Sequence, residues 1–146
     1  MTADNKPGAP WHFWAVALVL VLWNGLATFD YVSSVVQGDA YYESSGMTAA
    51  QVAYFNTLPI WVTVAWTVSV WGALAGGVAF LFRRKLAGLL LGVATAGTAA
   101  YVFHAYALSD GRAAMGVMWP MPAIVTVILA CLVGYVALLA RQGIVR

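Results

Sequence analysis

Few residues in this chain have side chains suited to chemistry: five acids, two histidines and one cysteine. Among the acids, only Asp30 lies within a long apolar stretch, and His104 lies within another. An ionisable side chain embedded in apolar sequence is costly to keep and marks a functional candidate. Helical spacing gives Asp30 company: Trp23, Ala27, Asp30 and Ser34 follow an i, i+4, i+7, i+11 stripe, with Asn24, Thr28 and Tyr31 on the adjacent one. Two readings of this polar sector stand side by side: hydrogen bonds between helices, or a lined cavity that accepts a polar solute.

Asp30 lies 19 residues after Trp11, and His104 lies 18 residues after Leu86. At 1.5 Å per residue these are rises of about 28 and 27 Å along their helices, so the two fall at similar depth. If the first and third runs pack together, the two could form a proton-sensitive pair; a buried histidine bonded to a backbone carbonyl is the favoured reading of His104. Trp66 shares a stripe with Thr63, Thr67 and Val70. Aromatic faces beside hydroxyls hold sugars or ring-shaped lipids, and they also pack ordinary bundles. The expected ligand-binding set is Asn24, Thr28, Asp30, Trp66 and His104.

Other chemistries are poorly supplied. No phosphate-binding G-x-x-x-x-G-K-[ST], no H-E-x-x-H and no Cys/His cluster occurs in the sequence. Cys131 has no base partner that spacing identifies and reads as inert packing. Gly97 and Ala100 leave room beside His104 for a haem or pigment ring. His12 belongs to the opposite side of the membrane, so one chain offers such a ring a single axial ligand. No cofactor or metal is assigned, and a non-enzymatic role is expected.

The elements that carry these residues follow from composition. The chain has 146 residues, 63% hydrophobic and 8% charged, with a mean hydropathy of +0.84. That is far below the roughly 25% charge of a soluble domain. A net charge of +2 without a basic patch gives no footprint for nucleic acid. Four apolar runs, about 11–36, 58–82, 86–108 and 121–140, are each long enough to cross a bilayer as a helix. The expected fold is a single all-α membrane domain over 1–146, a four-transmembrane-helix bundle. Arg83-Arg84-Lys85 alone joins the second and third runs, which predicts a tight antiparallel hairpin. Thr48 and Gln51 have capping-box spacing and predict a short surface helix over 49–56, with Val52, Tyr54 and Phe55 available to the membrane surface. The alternative there is an ordinary loop. Gly88, Gly92, Ala96 and Ala100, like Gly72 and Gly76, are spaced for close helix packing, within the hairpin or between copies.

Six of the seven basic residues fall on one side of the runs. Arg83, Arg84, Lys85, Lys6, Arg141 and Arg146 predict that both termini and the hairpin turn are cytoplasmic. Arg112 alone falls on the other side, with Asp39, Glu43 and Asp110. The expected location is the bacterial inner membrane. Lys6, an apolar stretch and Gly25-Leu26-Ala27 imitate a signal peptide, but the length of the stretch and its Trp14 and Trp23 fit a retained span better.

The segments Trp11-His12-Phe13-Trp14, Trp23-Asn24, Asp30-Tyr31, Pro59-Ile60-Trp61, Val70-Trp71-Gly72 and Arg83-Arg84 resemble a family of small, uncharacterised four-span bacterial membrane proteins. The likeness covers the first two spans better than the last two. Some members carry a sugar-transporter label, which implies no established activity, and the resemblance supplies no site residues. The leading expectation is a transport-associated or solute-binding component with an outward-facing polar pocket. It would act in the lipid bilayer as a homo-oligomer or within a larger complex. The rival is an accessory or assembly subunit of a larger membrane complex, in which Asp30 pairs with another chain.

Overall fold

The computed structural model describes residues 8–146, and within them every regular element is helical. Lys6 lies outside the described residues. Four helices are long and apolar enough to cross a membrane: α1 (Trp11–Gln37), α4 (Ile60–Leu81), α5 (Leu86–Phe103) with its π-helical extension His104–Leu108, and α7 (Met121–Arg141). Three short helices, α2 (Asp39–Ser44), α3 (Ala49–Asn56) and α6 (Gly111–Met115), fill the connections. Proline sits at the N-cap of α1, α4 and α7, where a missing N–H leaves no ladder bond unmade.

α5 is the centre of the bundle, packed against α4 on one side and α7 on the other; α1 packs on α4. Only 17–28% of the most apolar stretch of each long helix is buried inside the chain. The rest is an apolar exterior suited to lipid. The core at the basic end is solid: Phe13, Phe80, Leu91, Val136 and Val145 come from four helices and the C-terminal tail. His12 Nδ1 and the Tyr135 hydroxyl, 2.6 Å apart, tie α1 to α7 there.

The α4–α5 approach is set by glycine. A Cβ on Gly97 would lie 2.6 Å from the Ala65 carbonyl oxygen and 3.0 Å from Ser69 Cβ. On Gly76 it would lie 2.8 Å from Leu91 Cγ, and on Gly72 3.4 Å from the Leu90 carbonyl oxygen. The row Gly88-Gly92-Ala96-Ala100 does not form this contact. Gly92 has open space, Ala96 is exposed, and Gly88 meets Val136 of α7. The buried face of α5 is instead Ala87, Leu91, Ala94, Gly97 and Tyr101.

The basic turn is more than a charge cluster. Arg83 adopts a left-handed backbone, φ 58°. Its carbonyl accepts from the Arg146 N–H at 2.7 Å, and Lys85 N–H donates to the Arg146 carbonyl at 2.8 Å. The Arg83 Nε also donates to the Ile144 carbonyl at 2.7 Å. These bonds fold the tail back and bury Ile144 and Val145.

At the other end α1 stops at Gly38, φ 58°, where α2 begins in a new direction. The Thr48 hydroxyl accepts from Gln51 N–H at 3.3 Å, and Gln51 Oε1 accepts from Thr48 N–H at 2.8 Å, so a full capping box starts α3. The three α3 side chains expected at the membrane surface make contacts within the chain, while Ala49, Ala50, Ala53 and Asn56 are exposed. Val52 is buried, Phe55 lies between Tyr42 and Trp66, and the Tyr54 hydroxyl is 3.2 Å from Ser109 Oγ.

Candidate functional site

At the end opposite the basic turn the helices part around a cleft of about 350 Å³. α1 contributes Asp30; α3 contributes Phe55. Trp66 and Ser69 come from α4, Thr98 and Tyr101 from α5, Met115 from α6, and Met121, Pro122 and Val125 from α7. A second space of about 330 Å³, lined by Met47, Gln51, Tyr54 and Met118, shares Phe55, Met115, Met121 and Pro122 with the first. The two adjoin across these shared side chains, the second lying beside the α2–α3 connection.

Asp30 is exposed and oriented from above. The turn at Gly38 folds α2 back so that the Tyr41 hydroxyl donates to Asp30 Oδ1 at 2.6 Å. This bond raises the Tyr41 pKa above its ordinary value, because it favours the protonated phenol; partial desolvation and the Asp30 charge act in the same direction. The Trp66 indole is held on two sides. The Tyr31 ring meets it edge-on, centroids 5.3 Å apart, and Phe55 lies against it at 5.9 Å. Tyr31 is anchored in turn, its hydroxyl 2.7 Å from Thr67 Oγ1.

Of the five residues expected to bind a ligand, the cleft brings together Asp30 and Trp66. Asn24 and Thr28 are buried on the α1 face but satisfy themselves within the helix. Asn24 Nδ2 donates to the Leu20 carbonyl and Thr28 Oγ1 to the Asn24 carbonyl, both at 2.7 Å. Neither lines the cleft. His104 is 7% exposed and packs edge-on against Trp61, centroids 5.6 Å apart, away from Asp30. No hydrogen bond or ion pair joins the two, and His104 Nδ1 has no partner. The pairing required α1 to pack on α5, but α1 packs on α4, and His104 meets Trp61 at the start of α4. The expected α1 polar stripe divides in the same way. Trp23 points outward, while Ser34 is buried against its own helix.

Sequence reasoning missed Tyr41, Phe55, Ser69, Thr98, Tyr101 and the methionines Met115 and Met121. Their common signal is position: each lies within about three turns of the same end of an apolar run, or in a connection at that end. Tyr101 is 8% exposed and its hydroxyl has no partner at hydrogen-bond distance; the nearby Tyr54 hydroxyl is 3.2 Å from Ser109 Oγ. No group of three His, Cys, Asp or Glu side chains capable of holding a metal occurs among the described residues. The fold and cleft define an all-helical chain with four potential membrane-crossing helices and a polar-tipped aromatic cleft at one end. No known protein family, curated protein or solved structure matches it.

Proposed function

We propose that the chain is a multi-pass bacterial inner-membrane protein, both termini cytoplasmic, that binds a small amphipathic solute in an outward-facing cleft. The orientation rests on charge. Arg83, Arg84, Lys85, Arg141 and Arg146 gather at one end, while Asp30, Asp39, Glu43 and Asp110 share the other with Arg112. The cleft between α1, α4, α5 and α7 carries the functional reading. Its volume is at the small end of ligand pockets, and its lining is the usual mixture of apolar walls and a few polar groups.

Binding is favoured over turnover because the lining holds one carboxylate and no His, Cys, Lys or Arg, and the Tyr41 hydroxyl beside Asp30 is held in its protonated form. Transport would need more than one chain. Below the cleft, Phe13, Phe80, Leu91 and Val136 close the interior of the bundle. An oligomer or a larger complex would have to supply the remaining path. The resemblance to small four-span bacterial proteins stands beside this reading as a proposed kinship and supplies no residue roles.

A cysteine test addresses both access and orientation. Thr98→Cys in a Cys131→Ser background places one thiol in the cleft. A membrane-impermeant maleimide is expected to label it in right-side-out vesicles and to spare it in inverted ones. The reverse pattern refutes the orientation, and protection in both refutes a water-accessible cleft. Native mass spectrometry of the same protein would show which small molecules it retains.

A further inference from the structure

The cleft's chemistry is specific about charge. Its lining holds one carboxylate, Asp30, and three aromatic rings, Phe55, Trp66 and Tyr101; no Lys, Arg or His lines it. We infer that the solute is a hydrophobic organic cation, a small quaternary or protonated amine. Its positive group lies between Asp30 and the Trp66 indole, and its apolar body lies against Met115, Met121 and Val125. The inference rests on the binding reading above and names the ligand class for that cleft.

Several observations converge. A cation is attracted to an aromatic face, most strongly to tryptophan, and the attraction grows as water is excluded. Trp66 is fixed in place by Tyr31 and Phe55, so little ordering remains to be done when a ligand arrives. Tyr41 uses one oxygen of Asp30, and a carboxylate retains further acceptor capacity for an ammonium. An anion would meet the Asp30 charge with no basic partner in the lining. The nearest formal cation at this end, Arg112, is stacked over Tyr106 and Trp119, at 4.7 and 5.1 Å from their ring centroids. Asp39 and Glu43 in α2 and Asp110 before α6 add negative charge at this end of the bundle, which favours the approach of cations. Thioether side chains at Met115 and Met121 adapt to varied apolar shapes.

The test measures protection of the Thr98→Cys thiol, in the Cys131→Ser background, from maleimide by three matched compounds. They are benzyltrimethylammonium, its uncharged carbon isostere neopentylbenzene, and benzylsulfonate. Saturable protection by the ammonium is expected, with the isostere weaker by about three- to tenfold, as an exposed ion pair plus a cation–π contact would give. Benzylsulfonate should not protect. Asp30→Asn should raise the half-protecting ammonium concentration by a similar factor, while Asp30→Glu should recover most of it. The Asp30→Glu chain also guards against a misfolded Asn variant. Equal protection by the isostere, or indifference to Asp30→Asn, overturns the cation assignment and leaves the binding cleft standing. If no compound of any charge protects an otherwise reactive thiol, both readings fall.

Discussion

Gly97→Ala is the sharpest probe of how α4 and α5 meet, because the same helix contains its own control. The added Cβ would lie 2.6 Å from the Ala65 carbonyl oxygen and 3.3 Å from Ser69 Cα, both backbone atoms that cannot rotate away. Reaching ordinary contact requires the helices to part by roughly half an ångström or more, and overpacking of this kind costs about 1–3 kcal/mol. Alanine also gains up to about 1 kcal/mol of helix propensity over glycine, which partly offsets the clash. Gly92→Ala gains the same propensity in open space, since nothing lies within 4 Å of its Cβ position. The difference between the two variants isolates the clash. Unfolding with sodium dodecyl sulfate from dodecyl maltoside micelles, followed by circular dichroism, should place Gly97→Ala about 1–3 kcal/mol below Gly92→Ala. Ser69 and Thr98 adjoin this contact and line the cleft, so Gly97→Ala should also speed maleimide reaction at a cysteine placed at Thr98. Equal stability of the two alanine variants would refute the close approach, and with it the position assigned to the cleft's α4–α5 wall.

Three other outcomes follow from single contacts. Tyr41 should ionise above its ordinary pH of 10.0, and Asp30→Asn should bring it back down. Because the folded chain holds this proton more tightly than the unfolded chain, the bond's stabilisation is complete below pH 10.0 and is lost as pH rises through the folded value. A near-ultraviolet phenolate titration, with Tyr41→Phe to assign the transition, checks this; a Tyr41 transition unmoved by Asp30→Asn counts against the bond. Val145→Asp should release the tail and cost about 2–4 kcal/mol, the order expected for losing two buried aliphatic side chains. Trypsin should then cut faster after Arg141, and an unchanged rate would mean that the tail is not docked. Tyr101→Phe removes a buried hydroxyl with no partner at hydrogen-bond distance, so stability should stay equal or rise by up to about 1 kcal/mol. A loss beyond that would reveal a partner for the hydroxyl.

The long helices, the basic turn and the start of α3 were readable from local sequence, whereas α2 and α6 were not. A span needs only about 20 apolar residues in a row, so its existence is a property of one segment. Thr48 and Gln51 carry the α3 start in the same way, because a capping box closes within four residues. The three-residue basic turn forces α4 and α5 to be neighbours, whatever the rest of the chain does.

The site was legible only in part. Asp30 and Trp66 could be singled out as a charge in an apolar run and an aromatic beside hydroxyls, and both line the cleft. That Asn24 and Thr28 turn their polar atoms onto their own helix, and that His104 faces Trp61, depended on the rotation of each helix about its axis. In a soluble bundle a polar face would fix that rotation. Here lipid and core are equally apolar, so hydropathy is nearly silent about which side faces inward. Rotation is decided by small-residue contacts such as Gly97 on Ala65, and these require both helices to be in place.

The sequence by itself determined that there are four apolar helices, where each begins and ends, and that one end is basic and the other acidic. Tertiary structure decided which residues share the cleft, that Tyr41 returns across the Gly38 turn to hold Asp30, and that the tail docks on the Arg83 turn. The physical reason is range. Hydropathy, capping and charge act within a segment, while the azimuth of a helix in an apolar medium is set by partners distant in the chain.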